Sequence, residues 1–471
     1  MNRLLVSAPH KSSGKTTITL GVCAALAAQG ARVQPFKKGP DYIDPMWLER
    51  ATGRACFNLD PYLMADEALV RVFREGVAGA ELAIVEGNKG LHDGMALDGS
   101  NSNAALARRL GLPVVLVVDA RGMTRGVAPL LLGFQAFERD IRIAGVILNR
   151  VGGTRHESKL RAAVEYYTDI PVLGAVADDA RLAMDERHLG LVTCPELGDA
   201  QERVREMGRI VGGQVDLGAL RGVAASASPG FEPMSRAVRG VPADVRIGIA
   251  RDRAFSFYYP DDLAALQAAG AQLVPFDTLR DSQLPRSDGL FIGGGFPETC
   301  MAALEANVAM RTAVREAIED GLPTYAECGG LMYLARSIAW QGRTARMAGV
   351  IPGDAVMRAR PVGRGYVHLR QTQHMPWPGA AAGVAVQGHE FHHSTLENLP
   401  RGQAFAWEVT RGHGVDGKHD GLRLHNLVAS YTHLRDAAGS AWAQRFVAFV
   451  RECRARRCGH DPRPALDVLE A

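Results

Sequence analysis

The stretch Thr324-Tyr-Ala-Glu-Cys328-Gly-Gly-Leu-Met-Tyr333 decides the fold of the second half of this chain. An apolar, strand-like run from Leu322 to Ala326 ends at a cysteine. Two glycines follow, and then a run suited to a helix. This is the pattern of a strand-to-helix elbow, which lifts a nucleophile out of the backbone and leaves the next amide free to donate to an oxyanion. Near the other end, Pro9-His-Lys-Ser-Ser-Gly14-Lys15-Thr16-Thr17 follows the apolar run Leu4-Leu-Val-Ser-Ala8. Strand, small polar loop and helix in that order predict a phosphate-cradling loop. A nucleotide site and a thiol site in one chain point to ATP-driven amidation with nitrogen drawn from glutamine.

With 471 residues the chain is long enough for two or three domains. A hydrophobic share of 47% and a charged share of 22% are those of a soluble globular protein. The net charge of +3 gives no case for nucleic acid or a membrane surface as partner. Seven scattered cysteines lack the spacing of a disulfide framework and suggest a reducing compartment. Cys453 and Cys458 have no second pair to complete a metal site, so they read as incidental thiols. The N-terminus enters a strand at once without a signal-peptide layout, and no apolar run is long enough to span a bilayer. The expected location is the cytoplasm.

From Arg3 to Gly174 short Val/Ile/Leu-rich runs alternate with helical patterns. That alternation predicts an α/β domain over residues 1–222 with a mostly parallel sheet. Residues 223–244, including Val223-Ala-Ala-Ser-Ala-Ser-Pro-Gly-Phe231, read as a linker. A second α/β alternation occupies 245–471; its Gly- and His-rich part from Met347 to Leu424 reads as hairpins and site loops.

In the first domain, Ser13, Gly14, Lys15, Thr16 and Thr17 are the candidate ATP-binding residues. Lys15 suits the β- and γ-phosphates and the Thr16 hydroxyl suits Mg²⁺. Hard carboxylate oxygens at strand ends complete such a site, which nominates Asp41 and Glu86. Asp44 competes with Asp41, but before Pro45 it reads equally well as a helix-start residue. Lys37 and Lys38 could steady phosphate or a substrate carboxylate, and Asn149 could bond the base.

In the second domain Cys328 is the candidate nucleophile. The N–H of Gly329 and the loop Gly293-Gly-Gly-Phe-Pro-Glu298, through Gly294 or Gly295, are candidate oxyanion donors. Two clusters compete to supply the base. Gly388-His389-Glu390-Phe391-His392-His393 lacks the i,i+4 helical pair of a zinc protease and reads as a site-shaping loop. His433 closes a strand-like run and is the favoured base.

With these residues the chain resembles the cobyrinic acid a,c-diamide synthase family from end to end. The resemblance is carried by Ser13-Gly-Lys-Thr-Thr17, Lys38-Gly-Pro-Asp-Tyr-Ile-Asp-Pro45, Val85-Glu-Gly87, Gly293-Gly-Gly-Phe-Pro-Glu298, Glu327-Cys-Gly-Gly330, His389-Glu-Phe-His392 and Ser430-Tyr-Thr-His433. It implies a dethiobiotin-synthetase-like P-loop domain followed by a class I glutamine amidotransferase-like domain. It implies ATP and Mg²⁺, acyl-phosphate activation of a tetrapyrrole polyacid, glutamine as nitrogen donor, and Cys328 with His433 as the hydrolytic pair. Within the resemblance Glu390 is left as a candidate to orient His433. A homodimer is one oligomeric state compatible with it. The chain departs from the family pattern at His10-Lys11, Asn88-Lys89 and His92, which leaves siroheme or another sirohydrochlorin derivative open as substrate. A deviant-loop switch ATPase would explain only the first half and leave Cys328 and His433 idle. The longer cobyric acid synthase is disfavoured by the Gly-Pro-Asp-Tyr-Ile-Asp-Pro run.

Overall fold

The computed structural model describes residues 1–184, 186–187, 190–234 and 241–458. The chain divides into two compact units, residues 1–237 and 238–471. The helix Leu217–Ala225 is the last helix described in the first unit, so the first three residues of the stretch read as linker are helical. Cys453 is buried in the second unit's core, and the Cys458 side chain lies outside the described residues.

The first unit is built on strands β1 (Asn2–Ser7), β2 (Val33–Lys38), β3 (Phe57–Leu59), β4 (Leu82–Glu86), β5 (Val114–Asp119), β6 (Ile143–Val151) and β7 (Val172–Ala177). They form one parallel sheet in the order β3-β2-β4-β1-β5-β6-β7. Their residues are buried on both faces, as covered parallel strands require: Val114 to Val118 are at most 1% exposed. The consequence for function lies in the order. β2, β4 and β1 are neighbours, with Lys37 in register with Glu86 and Glu86 with Val6. Three C-terminal strand ends therefore open on the loop that leads into helix α1 (Lys15–Ala28). Helix α2 (Ile43–Thr52) follows β2 over the same edge. On its far side α1 packs against the helix Ala200–Gly212; a Cβ added at Gly208 would come within 2.9 Å of the Ala24 Cβ, so the two backbones sit as close as that glycine allows.

The second unit carries a nine-stranded sheet. From one edge it runs Ala271–Phe276, Val245–Ala250, Gly289–Ile292, Thr324–Glu327 and Leu427–Ser430, all parallel. It continues antiparallel through His419–Leu424, Ala404–Arg411, Gly363–Gln371 and Ala385–His392. The Gly- and His-rich part is thus largely antiparallel strand, as its short pattern predicts. Beneath the thiol strand the Tyr325 ring stacks on Phe291 at 5.5 Å and meets Trp377 and Trp442 at 4.9 and 5.2 Å. Aromatic pairs contribute roughly 0.5–1.5 kcal/mol each beyond burial. This cluster fixes the strand that ends at Cys328.

Candidate functional sites

At the phosphate loop, Gly14 adopts φ +86°, ψ +20°, and a Cβ there would lie 2.1 Å from the Asn149 amide nitrogen. Only glycine meets both demands. The Asn149 amide donates to the Ser13 carbonyl at 3.0 Å, so its strand end braces the loop. The buried Ser13 hydroxyl donates to the His10 carbonyl at 2.9 Å and holds the turn from within. Lys15 is buried at the head of α1, and burial followed by the charge of Lys37 pulls its ammonium below the usual lysine range. Thr17 is half-buried in the first turn.

Beside Thr16 the structure gathers the acidic residues. The Thr16 hydroxyl donates to Glu86 Oε1 at 2.6 Å and to Asp44 Oδ2 at 3.1 Å. The Lys37 ammonium lies 2.5 Å from Asp44, 2.8 Å from Glu86 and 3.8 Å from Asp41. Burial opposes its charge, but the three carboxylates hold it well above the ordinary lysine value. The two aspartates, which the sequence left competing, take different places. Asp41 Oδ1 accepts from the N–H of Ile43 at 2.9 Å and of Asp44 at 3.1 Å, which ties down the start of α2. Asp44, one residue into that helix, turns its carboxylate onto Thr16. Burial and then Asp44 raise Asp41 to about 7. The remaining oxygen of Glu86, Oε2, is buried without a hydrogen-bond partner. An orphaned carboxylate oxygen next to a threonine hydroxyl at a helix head fits a hard divalent cation. Among the described residues no group of three or more His, Cys, Asp or Glu is placed to hold a metal ion by itself.

The paired lysines part company. Lys37 is consumed by carboxylates, whereas the Lys38 ammonium donates to Asn88 Oδ1 at 3.0 Å. Burial pushes Lys38 down to about 8; Asp60 works against that shift and Lys89 with it.

At the thiol site, Cys328 has φ +48°, ψ −100°, a conformation costly for any side chain. Its N–H donates to the Ser430 carbonyl at 2.7 Å, and Glu327 is in register with Ser430. Two adjacent parallel strands thus deliver Cys328 and His433 to the same sheet edge. The helix Gly329–Leu334 starts directly after the thiol, so its first-turn N–H groups have no partner within the helix. A Cβ on Gly329 would lie 3.0 Å from the Gly295 nitrogen, and one on Gly294 would lie 2.6 Å from His433 Cε1. The structure therefore brings Gly294, Gly295 and Gly329 together around the thiol and the imidazole. The glycine loop is anchored by the Gly293 N–H, which donates to the Tyr258 hydroxyl at 2.9 Å.

His433 is buried, and burial opposes its charge. Hydrogen bonds to the Cys328 side chain and to Glu327 outweigh that and raise it to about 10. Glu327 Oε2 lies 3.2 Å from His433 Nδ1. Glu390 is occupied elsewhere: it accepts from the N–H of His413 at 2.7 Å and of Gly414 at 2.9 Å, with His392 at 3.6 Å. Glu390 thus ties a loop, and the carboxylate on His433 is one that motif reading passed over. The available signal was a lone charge at the end of an apolar strand, immediately before the nucleophile. His389 stacks on His433 with ring centroids 5.2 Å apart, and burial keeps it well below the ordinary histidine value. No helix among the described residues is long and apolar enough to cross a membrane.

Comparison with known proteins agrees with both halves. Residues 5–192 match the CobQ/CobB/MinD/ParA nucleotide binding domain, and residues 246–439 match the CobB/CobQ-like glutamine amidotransferase domain. A nucleotide-binding unit joined to a glutamine amidotransferase unit defines a glutamine-dependent amido-ligase. Relatives named cobyrinate a,c-diamide synthase align over nearly their whole length. The protein from Magnetococcus marinus is 47% identical over 96% of this chain and 97% of its own. That from Methanosarcina acetivorans is 40% identical over 97% and 96%, and that from Syntrophotalea carbinolica 40% over 95% and 98%. The chain belongs to the cobyrinate a,c-diamide synthase family.

Proposed function

We propose that the protein amidates the a- and c-side-chain carboxylates of cobyrinic acid or hydrogenobyrinic acid in cobalamin biosynthesis, in the cytoplasm, with ATP as energy source and glutamine as nitrogen donor. The observation that carries the reading is the Cys328 elbow set against His433 in a chain that also holds a phosphate loop.

In the synthetase unit, the first-turn N–H groups of α1 and the Lys15 ammonium face the phosphates and bear the charge of the triphosphate. Thr16, Glu86 and Asp44, with Asp41 behind them, would hold Mg²⁺, which neutralises phosphate charge when bound. The substrate carboxylate attacks the γ-phosphorus and ADP leaves, giving an acyl phosphate. Ammonia then displaces phosphate and leaves the amide. Lys38, buried and bonded to a neutral amide, is suited to hold a carboxylate of the polyacid.

In the amidotransferase unit, the Cys328 thiolate attacks the carboxamide carbon of glutamine. Gly329 and the Gly294–Gly295 loop donate to the oxyanion. His433 gives its proton to the departing ammonia, and water then resolves the thioester to glutamate.

The test is incubation with ATP, Mg²⁺ and glutamine against cobyrinic acid, hydrogenobyrinic acid and siroheme, with added amides counted by mass. Two amides on a cobyrinic or hydrogenobyrinic acid are expected. ATP consumption without amide on any macrocycle, with glutamine or ammonium, would sink the reading.

A further inference from the structure

We infer that Glu327, the residue immediately before the nucleophile, is the positioning residue of the thiol site: its carboxylate fixes the tautomer and the ring orientation of His433. The inference rests on the glutamine-hydrolysing reading above.

Glu327 closes the strand Thr324–Glu327 and is 3% exposed. An isolated carboxylate that deeply buried is costly unless its lone pairs are used. They are. Oε2 faces His433 Nδ1 at 3.2 Å. Oε1 accepts from the Tyr325 hydroxyl at 2.7 Å and from the Leu434 N–H at 3.0 Å. Tyr325 is two residues back on the same strand, so both side chains leave the same face. Leu434 follows His433 in sequence, so one carboxylate grips the histidine by its ring and by the next backbone amide. The Tyr325 hydroxyl is in turn fixed by its packing against Phe291, Trp377 and Trp442. The chain of support runs from the aromatic core through Tyr325 and Glu327 to the imidazole.

The chemistry follows from which nitrogen carries the proton. With a carboxylate at Nδ1, that nitrogen keeps its proton and Nε2 is left to exchange one with the Cys328 sulfur and the leaving amine. The groups facing His433 are Cys328, Glu327 and the stacked His389. His389 is held neutral by burial, so the anions that balance an imidazolium are the Cys328 thiolate and, lasting after the thiolate has reacted, Glu327. Reading Cys328 with His433 from the sequence alone omits this third member, because it lies next to the nucleophile in sequence and 106 positions from the histidine.

The test compares Glu327→Gln and Glu327→Asp in the full chain. Glutamine keeps the shape, and its carbonyl can still accept from Tyr325 and Leu434. Its NH₂ group, however, meets Nδ1 as a donor and selects the wrong tautomer. Glutaminase kcat in E327Q should fall at least about 100-fold, by analogy with loss of the orienting carboxylate in a serine triad, with KM for glutamine within about threefold. The pH profile of iodoacetamide capture of Cys328 should move to higher pH. E327D should recover part of the rate. Amide formation with free ammonium should persist in both variants, showing an intact fold. Glutaminase within about threefold of the parent in E327Q, an unmoved alkylation profile, or an effect confined to KM would each overturn the inference. If Cys328→Ser itself retained glutaminase, the proposed function would fail instead, and independently.

Discussion

The Lys37 ammonium and the Glu86 carboxylate stand opposite one another on neighbouring strands, in register and 2.8 Å apart, with Asp44 closing the cluster at 2.5 Å. Lys37 occupies the space between carboxylates that would otherwise repel one another in a buried setting. Removing it should therefore destabilise the synthetase unit. For Lys37→Met we expect a loss of about 3–5 kcal/mol in urea unfolding, the usual cost of stripping one partner from a buried ion pair. Mg²⁺ with ATP should restore part of it, because divalent charge replaces the lost ammonium. Equal stability with and without nucleotide would contradict this.

Glu86 carries the orphaned oxygen of the site. Glu86→Gln keeps the volume and one acceptor but removes the charge a divalent cation requires. Amidation should fall at least about 100-fold with glutamine and with ammonium alike, while glutaminase remains. A variant that lost amidation with glutamine only would move Glu86 out of the phosphoryl-transfer site.

Gly14 meets a steric and a torsional demand at once. In Gly14→Ala the new methyl collides with the Asn149 amide, and the backbone must still hold φ +86°. Nucleotide affinity should drop at least about tenfold. Gly14→Ala with Asn149→Ala relieves only the collision; the left-handed backbone still costs about 1 kcal/mol or more. Partial recovery of binding by calorimetry is the expected outcome. Full recovery would mean that strain at this turn is unimportant.

These residues also show what sequence could and could not carry. Parallel strands such as Val114–Asp119 were legible because burial on both faces leaves an unbroken apolar run. The phosphate loop and the thiol elbow were legible because each needs glycine at fixed steps from a reactive side chain. The division of labour between Asp41 and Asp44 was not legible. Both follow a strand end and either could begin a helix; only the path of the backbone into α2 decides which carboxylate faces Thr16. Glu327 escaped for a related reason. Its partner His433 lies 106 positions away and is brought to it by strand pairing, which no local pattern encodes. The three-residue strand Phe57–Leu59 is too short to show a period in sequence.

Lys38 should make stability depend on pH in a defined window. Its folded value is near 8, against about 10.5 for an unfolded lysine. Between those values the unfolded chain binds more protons, so stability rises with pH; below 8 the burial penalty is fully present. The slope cannot exceed about 1.4 kcal/mol per pH unit. Lys38→Met lacks this penalty. It should be more stable than the parent at pH 7, with the difference narrowing by pH 10 in chemical denaturation. A constant difference across that range would show that Lys38 is not the titrating group.

Cys328 holds φ +48° with a side chain, and strain of this kind costs about 1–3 kcal/mol. The strain is maintained because the elbow aims the sulfur at His433, so relaxing it should trade activity for stability. Two substitutions separate the strain from the loss of the thiol. Cys328→Ala removes the sulfur and keeps a Cβ in the unfavourable backbone; Cys328→Gly removes both. At an ordinary position glycine is less stable than alanine by roughly 0.5–1 kcal/mol because it has more freedom to lose. At residue 328 the order should invert, with Cys328→Gly the more stable of the two in chemical denaturation. Neither variant should hydrolyse glutamine, and both should form amide from free ammonium. If alanine were the more stable, the elbow would be a relaxed turn and the strained delivery of the nucleophile would have to be abandoned.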